Sequence, residues 1–470
     1  MAERIKAREQ IPMPDAAQVG RAIRLTYAQM MLFAIFAAST GGMFLVGFAM
    51  ELGAGNVLLG VMAGVPQAFV IGQFLAAYVV ERGVSRKKIT VVFSFLWPLS
   101  WFLVAIIAFF GEAMGTGGRM AVLIGVICLV TLSAQFVTNA RQSWIGELIP
   151  AGRRGRFFGY CSLFGGIVGS AFAIVEGGLL DRIESYGLVA FMGLFFFGAV
   201  FGLVFAALHI PQPDCPLPGE GKKPAFWALA RETLRNRQFV LLAFVNAVLA
   251  MTSIAAPFGN AYCLRDVGVS FFGLGVLNSI FVAAMLLSSA YWGKLADRFG
   301  CRPILILGLL LMAPCSVTWL FIPSGSPQRA YMLMPLSNFV AGLGSAAVGI
   351  SLQSMMYKLS RPEGRSVQFA TYNVFVTLAS LPMPILGGWL VTHLEGAGYA
   401  VDLRLTFYLW SAFVLAAAAL AWFLHEPESM RTRALVFSYF PNQLARFWGF
   451  VASRPLLFFS APAPRDRRPK

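Results

Sequence analysis

Twelve stretches of this chain stay apolar for longer than the roughly 20 residues that carry a helix across a bilayer. They run 24–50, 56–81, 88–110, 119–148, 157–180, 187–209, 238–263, 270–296, 303–322, 330–358, 366–393 and 402–424. The longest polar interruption runs from Pro211 to Arg237 and is broken by Pro213, Pro216, Pro218 and Pro224, so it cannot continue a helix. It divides the spans six and six. The pattern predicts an all-α membrane protein: a tail at 1–23, a six-helix half at 24–209, a linker at 210–237, a second half at 238–425 and a tail at 426–470. Within the last tail, 433–459 is rich in Phe, Leu and Arg and reads as a helix lying on the membrane surface. Residues 1–23 are polar and the first apolar stretch is long enough to stay in the membrane, so no cleaved leader is expected.

Composition agrees. Mean hydropathy is +0.71 and only 12% of residues are charged, about half the share of a soluble domain. The net charge of +16 would suggest nucleic acid in a soluble protein, but its placement argues otherwise. Of 37 Lys and Arg, 31 fall on the tails and on the connections that share their side. Five (Arg119, Arg182, Arg265, Arg329, Arg404) fall on the opposite connections, and Arg141 lies inside a span. Basic residues collect on the cytoplasmic side of membrane proteins. Both termini are therefore expected in the cytoplasm of a multi-pass, bacterial inner-membrane protein whose macromolecular environment is the lipid bilayer, with no nucleic-acid partner. Six scattered Cys and three His give no metal or disulfide spacing, and no catalytic set or phosphate loop is present. No enzyme and no cofactor are expected. The three His sit near span ends, where interfacial placement is expected.

The halves repeat. Gln142-Ser143 through Leu148 and Arg154 align without a gap on Gln353-Ser354 through Leu359 and Arg365. Gly177-Gly178 has its counterpart in Gly387-Gly388, and Glu81-Arg82 in Asp297-Arg298. Between the eighth and ninth spans stands Gly293-Lys294-Leu295-Ala296-Asp297-Arg298-Phe299-Gly300-Cys301-Arg302. This resembles the signature loop of the major facilitator superfamily, with Cys301 where a basic residue is common. The first-half copy keeps only the acid-Arg pair Glu81-Arg82 and the trailing Arg86-Lys87. The resemblance implies two six-helix pseudo-repeats rocking about a site near the midplane. It also implies a cytoplasmic latch of the outward-open state. Asp297 would cap the start of the fifth span near Arg154, and Glu81 would face the eleventh near Arg365, with Gly293 allowing close approach, Gly300 the turn, and Arg82 and Arg298 beside the acids.

Candidate pathway residues are polar groups inside spans. Arg141 lies about 12 Å in from the end of the fourth span, too deep to snorkel easily. Gln135, Asn139 and Gln142 share one helical face near it. Asn246 falls on a polar stripe with Ser253, Pro257 and Asn260, and Asn373 on another with Thr377, Ser380 and Pro384. Gln67, Asn278 and Asn338 lie inside the second, eighth and tenth spans. The resemblance implies that spans one, four, seven and ten line the cavity, with two, five, eight and eleven beside them. The substrate set is therefore Arg141, Gln67, Gln135, Asn139 and Gln142 from one half, and Asn246, Asn278, Asn338 and Asn373 from the other. A fixed cation favours an anionic solute. Glu176, twenty residues into the fifth span, is expected near the outer surface as an interfacial carboxylate beside Asp181 and Arg182; its alternative role is proton coupling.

The chain thus reads as a secondary transporter of a small organic solute, with proton or counter-solute coupling open. Two other readings stand beside it. One is a transporter-shaped receptor, assembly factor or scaffold that moves nothing, suggested by the scarcity of acids and the degraded first loop. The other is a lipid transporter.

Overall fold

The computed structural model describes residues 15–69, 72, 75, 79, 84–149, 154–183, 187–214, 233–360, 365–397 and 402–426. The expected surface helix at 433–459, the Glu81-Arg82 pair, most of the inter-half linker and the side chains of Gln142, Arg154 and Arg365 lie outside the described residues. In the first half the helices are α1 (Ala16–Thr40), α2 (Gly42–Glu51), α3 (Asn56–Ala68), α4 (Arg86–Leu99), α5 (Ala105–Leu148), α6 (Arg154–Arg182) and α7 (Leu188–Ala207). In the second they are α8 (Arg237–Ala250), α9 (Phe258–Ala261), α10 (Phe271–Phe299), α11 (Cys301–Met312), α12 (Pro327–Leu359), α13 (Arg365–Ser380), α14 (Met383–Gly396) and α15 (Arg404–Ala421). Among the described residues eleven helical segments are long and apolar enough to cross a membrane. The expected second span is described as α3 and a few residues beyond it.

Breaks fall where the chemistry puts them. Proline removes a backbone donor and crowds the preceding turn. Around Pro257 the helix tightens to a 3₁₀ turn (Met251–Ala255), restarts as α9 and ends in a π turn (Tyr262–Val267). Pro382 separates α13 from α14, and Pro314 opens a 3₁₀ segment, Ala313–Phe321. Gly115, at φ +62°, turns the chain between the third and fourth spans inside α5, a backbone that residues with a Cβ rarely adopt.

The apolar core is distributed unequally between the two ends of the bundle. At the end away from the basic connections one continuous cluster joins both halves, with Phe48, Leu59, Phe191 and Phe195 against Phe258, Tyr262, Leu274 and Leu277. Toward the basic end the core divides. Trp144, Leu148 and Phe157 pack within the first half, and Phe239, Trp292, Leu305 and Met355 within the second. Among the described residues the halves share a core at one end only.

Candidate functional site

Two joints close the shared end. At the first, α6 meets the start of α10. The first N–H groups of a helix have no partner within it. Here the Asp181 carboxylate accepts from Phe271 N at 2.8 Å and Phe272 N at 2.9 Å, and Ser270 Oγ accepts from Gly273 N at 3.1 Å. The approach depends on Gly177, because a Cβ there would stand 2.6 Å from the Phe271 carbonyl oxygen. At the second joint α14 meets the start of α3. A Cβ on Gly388 would collide with the Asn56 carbonyl, and one on Gly60 with that of Pro384. Arg265 Nη1 donates to Asn56 Oδ1 at 3.1 Å. The repeated Gly pairs of the sequence are therefore the contact points of the two joints.

The opposite end is different. Asp297 and Arg298 are exposed, and Asp297 makes no hydrogen bond or ion pair among the described residues. Gly300 turns the chain at φ +92°. Gly293, expected to permit close packing, has open space where a Cβ would stand; packing does not require glycine there.

Between the halves lies a cavity of about 360 Å³ lined by small residues of α1, α6 and α10, among them Ala34, Ala38, Gly169 and Ala173, with Asn278 and Ser279 supplying polarity. On the other flank, Ser380 Oγ donates to Gln67 Oε1 at 3.3 Å and Ser253 Oγ to the Ser380 carbonyl at 3.0 Å, tying α3, the turn after α8, and α13. Asn246 lies beside Tyr372. The structure thus brings Gln67 and Asn246 to helix junctions around the interface and places Asn278 on a cavity wall. Asn338 does something else: its Nδ2 donates to the Leu277 carbonyl at 2.8 Å, a tie between α12 and α10. Asn373 is exposed, Asn139 is half-buried, and Gln135 packs where Gly72 passes.

Arg141 points between α1 and α6. Its Nη2 lies 3.7 Å from the Met30 sulfur, and its Nε is enclosed without a hydrogen-bond partner. Cys161 and His209 lie within its electrostatic reach. No described carboxylate pairs with it. His209 is fully buried, 4.8 Å from the Phe205 ring and 6.4 Å from that of Trp144. His393 and His425 are exposed, whereas the interfacial expectation fails for His209, because the chain after α7 turns back into the bundle. Trp144 Nε1 donates to the Pro213 carbonyl at 3.0 Å, and Gln212 Nε2 donates to Thr26 Oγ1 and Gln29 Oε1, each at 3.1 Å. Sequence reasoning missed this buried polar group, although Thr26 and Gln29 stand one turn apart on the first span.

Glu176 also differs from expectation. It is 3% exposed rather than interfacial. Its Oε1 lies 2.6 Å from Ser39 Oγ of α1, and its Oε2 is enclosed without a partner. Counting residues along α6 could not show that α1 and α10 cover it there.

A helical bundle of two halves, closed at one end and parted at the other around a small cavity, is the form of a membrane carrier. The Major Facilitator Superfamily profile matches residues 244–463. The multidrug resistance protein MdtG of Salmonella dublin is 27% identical over 314 residues, covering 65% of this chain and 71% of that protein. Solved structures of similar fold include the nucleoside transporter NupG (TM-score 0.61, 14% identity, 86% of this chain and 97% of that one). Another is a bacterial homologue of the lysosomal transporter Spinster in an inward-facing, unoccupied conformation (TM-score 0.62, 15% identity, 87% and 98%). The chain is thus similar to the major facilitator superfamily, by its profile over the second half and by these relatives. It is a multi-pass inner-membrane transporter of small solutes and not an enzyme.

Proposed function

We propose that the chain moves a small organic anion by alternating access, and that the conformation described here is open toward the cytoplasm. The observation that carries the reading is the divided core: the halves share apolar packing at the end away from the basic loops and part at the basic end. The sidedness of Lys and Arg puts the basic end, and both termini, in the cytoplasm. Six-helix halves at 24–209 and 238–425 rock about a site bounded by Gln67, Asn246 and Asn278, with Arg141 deeper in the first half. Arg141 supports an anionic solute, since a guanidinium without a carboxylate partner is costly in a membrane and is offset by a bound anion. In the outward-open state Asp297 engages the start of α6, the cytoplasmic latch that the signature loop implies. The name of the MdtG relative supports a second reading, drug transport, and the small apolar cavity wall fits an amphiphile.

Alternating access is testable without a known solute. A cysteine placed at Asn278, with the native cysteines replaced, should react with a membrane-impermeant thiol reagent from the cytoplasmic side. A Gly177→Trp wedge in the outer joint should move that reactivity to the other side. Reaction from one side in both proteins contradicts the proposal.

A further inference from the structure

The Glu176–Ser39 contact carries a proton count. A serine hydroxyl has one proton to donate and can accept from others. Ser39 Oγ lies 2.8 Å from the Ile35 carbonyl oxygen, the bond a helical serine makes to the turn before it. It also lies 2.6 Å from Glu176 Oε1. The Ile35 carbonyl can only accept. When the serine proton points to Ile35, the short contact with Glu176 needs a proton from the carboxyl itself. The other carboxyl oxygen has no donor within reach and is enclosed, which an ionised carboxylate tolerates poorly and a neutral acid tolerates far better. No cation stands by to change this. In the sequence, α7, residues 28–50 of α1 and α2, and the facing part of α10 (271–290) contain no titratable residue. Asp181 and Arg182 lie further along α6 itself.

We infer that Glu176 and Ser39 form a proton-carrying site: with the outer joint closed, Glu176 is a neutral acid donating to Ser39, and it releases its proton when that joint opens. The lid is α10. A Cβ on Gly275 would stand 3.0 Å from the Ala173 carbonyl oxygen and one on Gly177 2.6 Å from that of Phe271, so α10 covers the stripe of α6 on both sides of Glu176. When α10 swings away, water reaches the stripe, the carboxyl O–H bond breaks, the proton passes to water and the carboxylate is solvated. To reclose, the carboxylate takes a proton back from the outer water before α10 covers it, so closure of the outer face depends on protonation. This rests on the alternating-access reading and makes its outer closure proton-dependent.

Infrared spectroscopy of the purified protein at pH 7 tests the first half without transport. The carbonyl stretch of a buried protonated carboxylic acid should be present in the wild type, absent in Glu176→Gln and shifted in Ser39→Ala. A wild-type spectrum with no such band, or a band that survives Glu176→Gln, overturns the proposal. The second half uses the Gly177→Trp wedge, or Gly388→Trp if the first variant is unstable. In the opened protein the band should vanish at pH 8, and its persistence overturns release on opening. If labelling at Asn278 shows that neither wedge opens the outer face, alternating access fails while the wild-type band still reports on Glu176 alone.

Discussion

The carboxylate of Asp181, at the end of α6, accepts the backbone N–H of Phe271, the first residue of α10, at 2.8 Å. Ninety positions separate them in sequence, and each belongs to a different half. A side chain of one half thus caps a helix of the other, where the positive end of the helix dipole favours an anion. A helix cap of this kind contributes about 0.5–2 kcal/mol, and this one exists only while the outer joint is closed. Asp181→Ala should shift the balance toward the outward-open state by roughly two- to thirtyfold. Distances between spin labels at Arg182 and Gln328, both exposed at the end where the halves share their core, should lengthen. Unchanged distributions would show that Asp181 caps without holding the joint.

Steric fit at the second joint leads to a separate expectation. Gly388 sits where any Cβ meets the Asn56 backbone, so Gly388→Leu cannot close the joint by rotating a side chain. Overpacking of this kind costs about 1–3 kcal/mol, charged to the outer-closed state. The variant should remain folded, show outer-side labelling at Asn278 and fail to cycle. Wild-type labelling would mean the joint can yield.

Outside the spans, Glu426 ties the chain after α15 to the ends of α11 and α12. It accepts from Lys358 Nζ at 2.8 Å and from Arg302 N at 2.8 Å. Partial burial pushes the carboxyl up, but the Lys358 bond and the backbone N–H groups of Arg302 and Cys301 outweigh it and hold the group below the usual carboxylate range. A depressed folded value stabilises the protein above the unfolded pKa, and that contribution is lost as pH falls through the folded value. Glu426→Gln should therefore lower the melting temperature at neutral pH, by the equivalent of about 1–2 kcal/mol for a charged hydrogen bond. Its difference from the wild type should fade on acidification. A difference independent of pH would mean that shape rather than charge holds the segment.

What the sequence made legible follows physical range. Membrane spans show because a bilayer demands some 20 apolar residues in a row, and the paired glycines and Arg141 show because each is anomalous in its own window. Relations across the bundle do not show. Asp181 was read only as a neighbour of Glu176, since nothing in its own helix marks it as the cap of a helix ninety residues on. Glu176 was read as interfacial because depth was counted along one helix while the covering came from three others. His209 was misplaced because a chain leaving a helix looks the same whether it enters water or folds back. Asn338 was grouped with substrate contacts on polarity alone, and its tie to the Leu277 carbonyl on another helix could not be read from its own window.

The claim that joins the fold to a function is that Arg141 holds an anion. The most direct measurement is the thermal stability of the purified wild type and of Arg141→Ala against carboxylates, sugars, amino acids, nucleosides and amphiphilic drugs. A ligand that binds the folded state raises its stability, by about 2.7 kcal/mol at a hundred times its Kd. The account predicts that a carboxylate stabilises the wild type and leaves Arg141→Ala unchanged. Stabilisation by uncharged or cationic compounds alone, equal in both proteins, would contradict it.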